Sequence, residues 1–182
     1  YAAGDVACVP GQHLTGAFVF GEVAAENAIA LIRGSEPPTI DAGQVGEARE
    51  RMQRLLATKG PVTLKEFEYK LRLLINNYVA SPKNDYQLGQ AIWWADRLEA
   101  ELPQVTTVEG AHQLGRALEI EAIIDCARLS ATASRERKES RWGLQHYRTD
   151  YPEADPALVG HIVLSRGNKG QIVTTFKGVG SI

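Results

Sequence analysis

Consecutive segments with apolar side chains at helical spacing, fenced by proline or glycine, limit this chain to a mostly α-helical fold. Between Thr63 and Tyr78, Leu64, Phe67, Leu71, Leu74, Ile75 and Tyr78 recur three or four residues apart, the spacing that lines one side of an α-helix. Asp85–Leu102 repeats the pattern with Leu88, Ile92, Ala95, Leu98 and Leu102. Pro82 lies before it, and Pro103 is expected to end it. Val108–Ala133 is the longest segment, and its stripe is expected to run through Leu114, Leu118, Ala122, Asp125, Cys126 and Leu129, which places Leu118 in the core. A shorter helix is expected over Glu47–Ala57. The three long helices are expected to pack antiparallel as a bundle.

Beyond the bundle the pattern changes. Arg135, Arg137, Arg141 and Arg148 alternate with Glu136, Glu139 and Asp150. That interleaving reads as an ion-pair network fixing the domain rather than as a basic patch. His161–Ser165 and Gln171–Phe176 are rich in β-branched residues, and Arg166–Gly170 supplies turn residues between them, which reads as a C-terminal β-hairpin. Trp93 and Trp94 are expected to be one covering and one core residue. His112 and His161 have no supporting constellation, whereas His146 sits beside Tyr147 and Arg148, which are expected to face another domain.

Composition narrows the function. With 182 residues and 44% hydrophobic side chains the chain can bury a core, and 20 basic against 22 acidic residues give a net charge of −2. That balance supplies no general attraction to nucleic acid or to an anionic membrane. No apolar run is read as approaching the length of a membrane span, so a soluble protein without direct membrane insertion is expected. The two cysteines, Cys8 and Cys126, are too far apart in sequence for a CxxC motif. No self-contained metal site is expected, and the usage fits a reducing, cytoplasmic setting.

The first 36 residues have a different character. Gly4-Asp5 follows a short apolar segment, a loop with Pro10 and Gly11 comes next, and a helix is expected from Thr15, as N-cap, to Arg33, with Gly34 as C-cap. This helix carries Gly16, Ala17, Gly21, Ala24, Ala25, Ala28 and Ala30 and is apolar enough to be expected inside something larger. A carboxylate held by a glycine turn can accept from sugar-like hydroxyls, and a helix N-terminus favours a ligand bearing negative charge. An ordinary strand–loop–helix corner has the same appearance. Because Met52 is the only methionine and the chain opens on what reads as a strand end, a piece of a larger polypeptide is expected, with residues 37–46 as a linker and 47–182 as a second domain.

Two stretches carry a resemblance. YAAGDVACVPGQHLTGAFVFGEVAAENAI, from Tyr1, resembles the last FAD-contacting segment of the succinate dehydrogenase/fumarate reductase flavoprotein superfamily. KESRWGLQHYRTDYPE, Lys138–Glu153, resembles the closing motif of that superfamily's C-terminal helical domain and is most similar to the adenylylsulfate reductase alpha subunit. The implied fold is an antiparallel helical bundle with a C-terminal hairpin, preceded by the last strand–loop–helix of a truncated FAD-binding α/β domain (1–36).

The resemblance implies an FAD-dependent oxidoreductase acting on a small anionic substrate, with the fragment alone inactive. It implies an FAD site in which Gly4 and Asp5 lie near the ribityl chain and His13, Leu14, Thr15 and Gly16 lie against the isoalloxazine near N1 and C2=O. It makes His13 the catalytic candidate and puts Gln12 and His13 at the substrate. It also implies the remainder of the flavoprotein and an iron–sulfur electron-transfer subunit as partners. The superfamily's GxGxxG dinucleotide fingerprint is absent from these residues, and so is the arginine of the dicarboxylate-clamping loop: Gly11–Gly16 contains none. The alternative reading is a non-catalytic helical interaction module.

Overall fold

The computed structural model describes residues 13–179 except Trp142 and Lys169. The expected strand end at Gly4 and Asp5, and Cys8 and Gln12 after it, lie outside the described residues. The chain divides into two compact units at Gly46/Glu47.

The first unit holds α1 (His13–Arg33) and the start of α2 (Ala42–Leu56). Helix α1 begins two residues before Thr15, so Thr15 lies in its first turn instead of capping it. Gly34 does follow the last turn, its amide donating to the carbonyls of Ala30 and Leu31 at 3.3 and 3.2 Å, but without the positive φ of a glycine C-cap. Helix α2 starts at Ala42, five residues earlier than expected, because the Asp41 carboxylate accepts from the amides of Gly43 (2.8 Å) and Gln44 (3.4 Å) and so satisfies donors that a helix start leaves free. Leu14, Phe18, Leu31 and Ile32 on α1 are 79%, 79%, 61% and 70% exposed. The segment Leu14–Arg33 is, by length and composition alone, long and apolar enough to cross a membrane. The expectation that no run approaches that length is therefore corrected; interspersed glycine, alanine and two glutamates mask the run when it is read residue by residue.

The second unit is built on α3 (Leu64–Tyr78), α4 (Asp85–Val105) and α5 (Gly110–Glu136), which pack pairwise as the antiparallel bundle. Thr63 starts α3 through a reciprocal capping box. Its hydroxyl accepts from the Glu66 amide at 3.2 Å, and the Glu66 carboxylate accepts from the Thr63 amide at 2.9 Å. Asn84 caps α4 by accepting from the Gln87 amide at 2.9 Å. Leu64, Phe67, Leu71 and Leu74 from α3 meet Ala95, Leu98 and Leu102 from α4 in one buried cluster, and Leu55 of α2 joins it.

Two expectations about these helices are corrected. Pro103 does not end α4, which continues to Val105; a proline in the last turn removes only one ladder donor, a smaller cost than in a helix interior. The buried stripe of α5 is Ala117, Ile120, Ile124, Ala127 and Ala131. Leu114 and Leu118 are half-buried at its margin, and Ala122, Asp125, Cys126 and Leu129 are exposed.

A strap ties the two ends of the bundle's connections together. The Gly60 amide donates to the Thr106 carbonyl and the Val62 amide to the Val105 carbonyl, both at 2.9 Å. A Cβ on Gly60 would lie 2.1 Å from the Val105 carbonyl carbon, so only glycine permits this approach. The chain ends in the expected hairpin, β1 (Gly160–Arg166) antiparallel to β2 (Ile172–Gly178), with Ile162 opposite Phe176 and Leu164 opposite Thr174. Strand β1 leans on α5.

Candidate functional site

Of the residues anticipated at a flavin site, the structure describes four. His13 is the first residue of α1, Leu14 and Thr15 follow it exposed in the first turn, and Gly16 is buried. The first turn contains no acidic residue, so no side chain of its own opposes an anion at the positive end of the helix dipole. Gly4, Asp5 and Gln12, anticipated at the same site, lie outside the described residues.

The most heavily bonded polar cluster is the closing segment between Arg137 and Asp155. Glu139 is its hub, with a fully buried side chain. One carboxylate oxygen accepts from Arg137 Nη1 (2.5 Å) and Arg141 Nε (2.9 Å), and the other from Arg141 Nη2 (2.6 Å) and the Asp155 amide (2.8 Å). The Arg141 hydrogen bonds, with those from Asp155 and Arg137, outweigh burial and hold the Glu139 pKa down at about 2. Two guanidinium groups and a backbone amide make this buried charge affordable.

Arg148 is the second hub and is itself fully buried. Its Nε and Nη2 form a fork on the two carboxylate oxygens of Asp150 at 2.8 and 2.7 Å, the bidentate geometry that suits arginine. Its Nη1 donates to the carbonyls of Ser134 (2.7 Å), Arg135 (3.2 Å) and Arg137 (3.2 Å). Those are carbonyls that the end of α5 leaves free, at the negative pole of the helix. Asp150 also accepts from the Asp85 amide at 2.9 Å, and Asp85 accepts a fork from Arg135. The start of α4 and the end of α5 are thus pinned by the same segment. Its backbone joins the loop before α4, where the Lys83 amide donates to Tyr147 O (3.0 Å) and the Thr149 amide to Lys83 O (2.9 Å).

The anticipated network of alternating charges is therefore present, except that Arg135 takes its partner from Asp85. Sequence reasoning did not single out Asp85, Lys83, Ser134 or Ser140. Lys83 is buried with Nζ on the Ser134 hydroxyl at 3.2 Å, and Ser140 Oγ accepts from the Arg148 amide at 2.8 Å. Polar residues in loops give no signal of burial, so only the Asn84 cap beside Lys83 hinted that this loop is ordered.

Elsewhere the arrangement is one of packing. Trp93 is exposed and Trp94 is packed against the core, edge to face at 4.8 Å, under Arg97 and Lys70 respectively. A cleft between α5 and the hairpin is walled by Glu99 and Asp125, both already paired with Arg128. His112 and His161 are exposed. The closing network holds structure together; the chemistry-bearing candidates remain at the start of α1.

The family model described as fumarate reductase flavoprotein C-term matches residues 68–179, from within α3 to the end of the hairpin. The chain belongs to that family. Solved structures show the same fold. This flavoprotein C-terminal domain and the residues before it superpose on adenylylsulfate reductase from Archaeoglobus fulgidus with a TM-score of 0.80 at 21% identity, covering 92% of this chain and 29% of that one. Quinol fumarate reductase from E. coli gives 0.79 at 20% identity, over 93% and 30%. The Mycobacterium smegmatis Sdh1 complex in the apo form gives 0.80 at 22% identity, over 98% and 32%. The flavoprotein domain thus spans about a third of the length of these structures. No curated protein matches it.

Proposed function

We propose that this chain is the C-terminal part of an FAD-dependent oxidoreductase subunit that acts on a small anionic substrate. The observation that carries the reading is the family match over residues 68–179, joined to a fold shared over 92% or more of the chain with reductases whose own chains are about three times longer. In this reading residues 1–36 end the flavin domain, 37–46 link it to the helical domain, and 47–182 form that domain. The partners are the rest of the flavoprotein chain and an iron–sulfur electron-transfer subunit, in the cytoplasm.

The start of α1 suits a flavin. Bound FAD accepts or delivers a hydride equivalent, and its reduction places negative charge at N1 and C2=O. The amides of His13, Leu14, Thr15 and Gly16 stand at a helix N-terminus with no acidic residue in the first turn, the preorganised dipole that favours such charge. Asp5, following Gly4, would accept from the ribityl hydroxyls. His13, as catalytic candidate, would donate a hydrogen bond or carry a proton at the substrate, with Gln12 beside it. Between Gly11 and Gly21 no arginine or lysine is present, and a carboxylate clamp needs a permanent guanidinium fork. A sulfur oxyanion or another small anion therefore fits the loop better than a dicarboxylate.

The test is the full-length subunit, reconstituted with FAD and assayed with fumarate and a reduced viologen dye. Negligible fumarate turnover is expected, with His13→Ala lowering activity on another small anion such as adenylylsulfate while FAD stays bound. Fumarate turnover in the usual range of about 1–10³ s⁻¹ would overturn the substrate reading.

A further inference from the structure

The closing segment buries a histidine that its structural role does not need to be titratable. His146 is 9% exposed, and its Nε2 lies 3.3 Å from the Arg137 carbonyl. A carbonyl only accepts, so Nε2 carries the proton of the neutral ring and Nδ1 is the site a second proton would take. Its backbone carbonyl in turn accepts from the Arg141 amide at 2.9 Å. The ring therefore sits where the start and the end of the closing loop meet.

Its charged surroundings are one-sided. Lys83, from the loop before α4, and Arg137 and Arg148, from the closing segment, all oppose a positive charge on it. The carboxylates nearby are already committed: Glu139 to Arg137 and Arg141, Asp150 to Arg148, and Asp85 of α4 to Arg135 of α5. Burial, the largest effect, and these three cations push the His146 pKa below the ordinary histidine value. The hydrogen bond to the Arg137 carbonyl opposes them without cancelling them. A second proton keeps the Nε2 hydrogen bond but adds a fourth cation beside Lys83, Arg137 and Arg148, where Glu139, Asp150 and Asp85 are already paired.

We propose that His146 is an acid-sensitive pin: its protonation releases the closing segment and the hairpin base that Arg137 holds, while the α3–α5 bundle stays folded. Arg137 transmits the release, because its guanidinium donates to the carbonyls of Leu158 (3.0 Å) and Gly160 (2.7 Å) at the entry to β1. The sign follows from linkage. A histidine whose pKa is lower in the closed form favours closure above the free histidine value, near 6.5, and that preference is lost as pH falls through the closed-form value. The carboxylates of the network are held below their ordinary values by arginine hydrogen bonds, Glu139 at about 2, so they stay charged between pH 7.5 and about 4.5.

The experiment is amide hydrogen exchange on the full chain between pH 7.5 and 4.5, expressed as protection relative to intrinsic rates, with the His146 ring followed by NMR. Protection at the amides of Arg141, Arg148 and Thr149 is expected to fall about tenfold for each unit by which His146 titrates below 6.5, with α3 amides unchanged. In His146→Gln that fall is expected to vanish. In Lys83→Met, which removes one opposing charge, His146 is expected to titrate nearer its ordinary value and the fall to shrink. Constant protection in the wild-type chain, an equal fall in His146→Gln or, if that variant does not fold, an unshifted titration in Lys83→Met would overturn the proposal. A parallel loss in α3 would do the same, by showing global unfolding.

Discussion

The two compact units solve the same physical problem in opposite ways. In the second, large apolar side chains of α3, α4 and α5 bury one another, with Leu71, Leu88, Leu98 and Ile120 at 0% exposure. Its buried Glu139 and Arg148 are ion-paired, and its buried Lys83 is hydrogen-bonded to Ser134. In the first, α1 carries comparable apolar residues and leaves most of them open, with Phe18 79% and Ile32 70% exposed. A contiguous exposed apolar face marks a surface meant for a partner. The second unit buries its own apolar surface, whereas α1 leaves its apolar face exposed. Under the proposed function, the rest of the flavoprotein would cover that face.

The contrast can be broken most severely at Arg148. Arg148→Ala leaves Asp150 without its fork and uncovers the α5 carbonyls, so a loss of about 3–5 kcal/mol is expected in urea unfolding. A loss under ~1 kcal/mol would mean the network contributes little. Leu98→Ala, in the centre of the bundle, is expected to cost about 2–5 kcal/mol. Leu118→Ala, at the margin of the α5 stripe, should cost less, and the reverse order would restore the stripe read from sequence.

Acid sharpens the comparison through Glu139. Its pKa is lowered from 4.5 to about 2, so its stabilisation is complete above pH 4.5 and is lost as pH falls towards 2. The loss is roughly 3 kcal/mol. Unfolding free energies measured from pH 5 down to 2 should fall more steeply in the wild type than in Glu139→Gln; parallel curves would contradict the assignment. Thr63→Ala, which removes one half of the α3 capping box, is expected to cost about 1 kcal/mol. At the small end, Ile32→Ser on the open face of α1 should change the stability of the bundle by less than about 0.5 kcal/mol. A large loss there would show that α1 is part of the core.

What was legible from the sequence follows the size of the side chains. Helix α3 is lined by leucine and phenylalanine, and its stripe reads correctly. On α5 the buried residues include Ala117, Ala127 and Ala131, chosen for close approach and carrying little hydrophobic signal. The larger Leu114 and Leu118 therefore pull the apparent stripe about one residue round the helix. The hairpin was legible because β-branched runs flank Arg166–Gly170, and Gly170 does adopt a φ of +81°. The alternating charges of the closing segment announced ion pairs, but Asp85 is 50 residues from Arg135 and no local pattern links them. The candidate flavin residues were legible only through resemblance to a family, since a glycine turn and a helix start have the same form at any corner.

The division into a self-sufficient domain and a dependent helix is tested most directly by removing the helix. Residues 40–182 retain Asp41 as the start of α2 and Leu55 as its buried anchor. Urea unfolding of that segment should be cooperative and match the whole chain to within about 0.5 kcal/mol. A shortened chain that fails to fold, or that loses more than about 2 kcal/mol, would contradict the division and make α1 a structural part of the bundle.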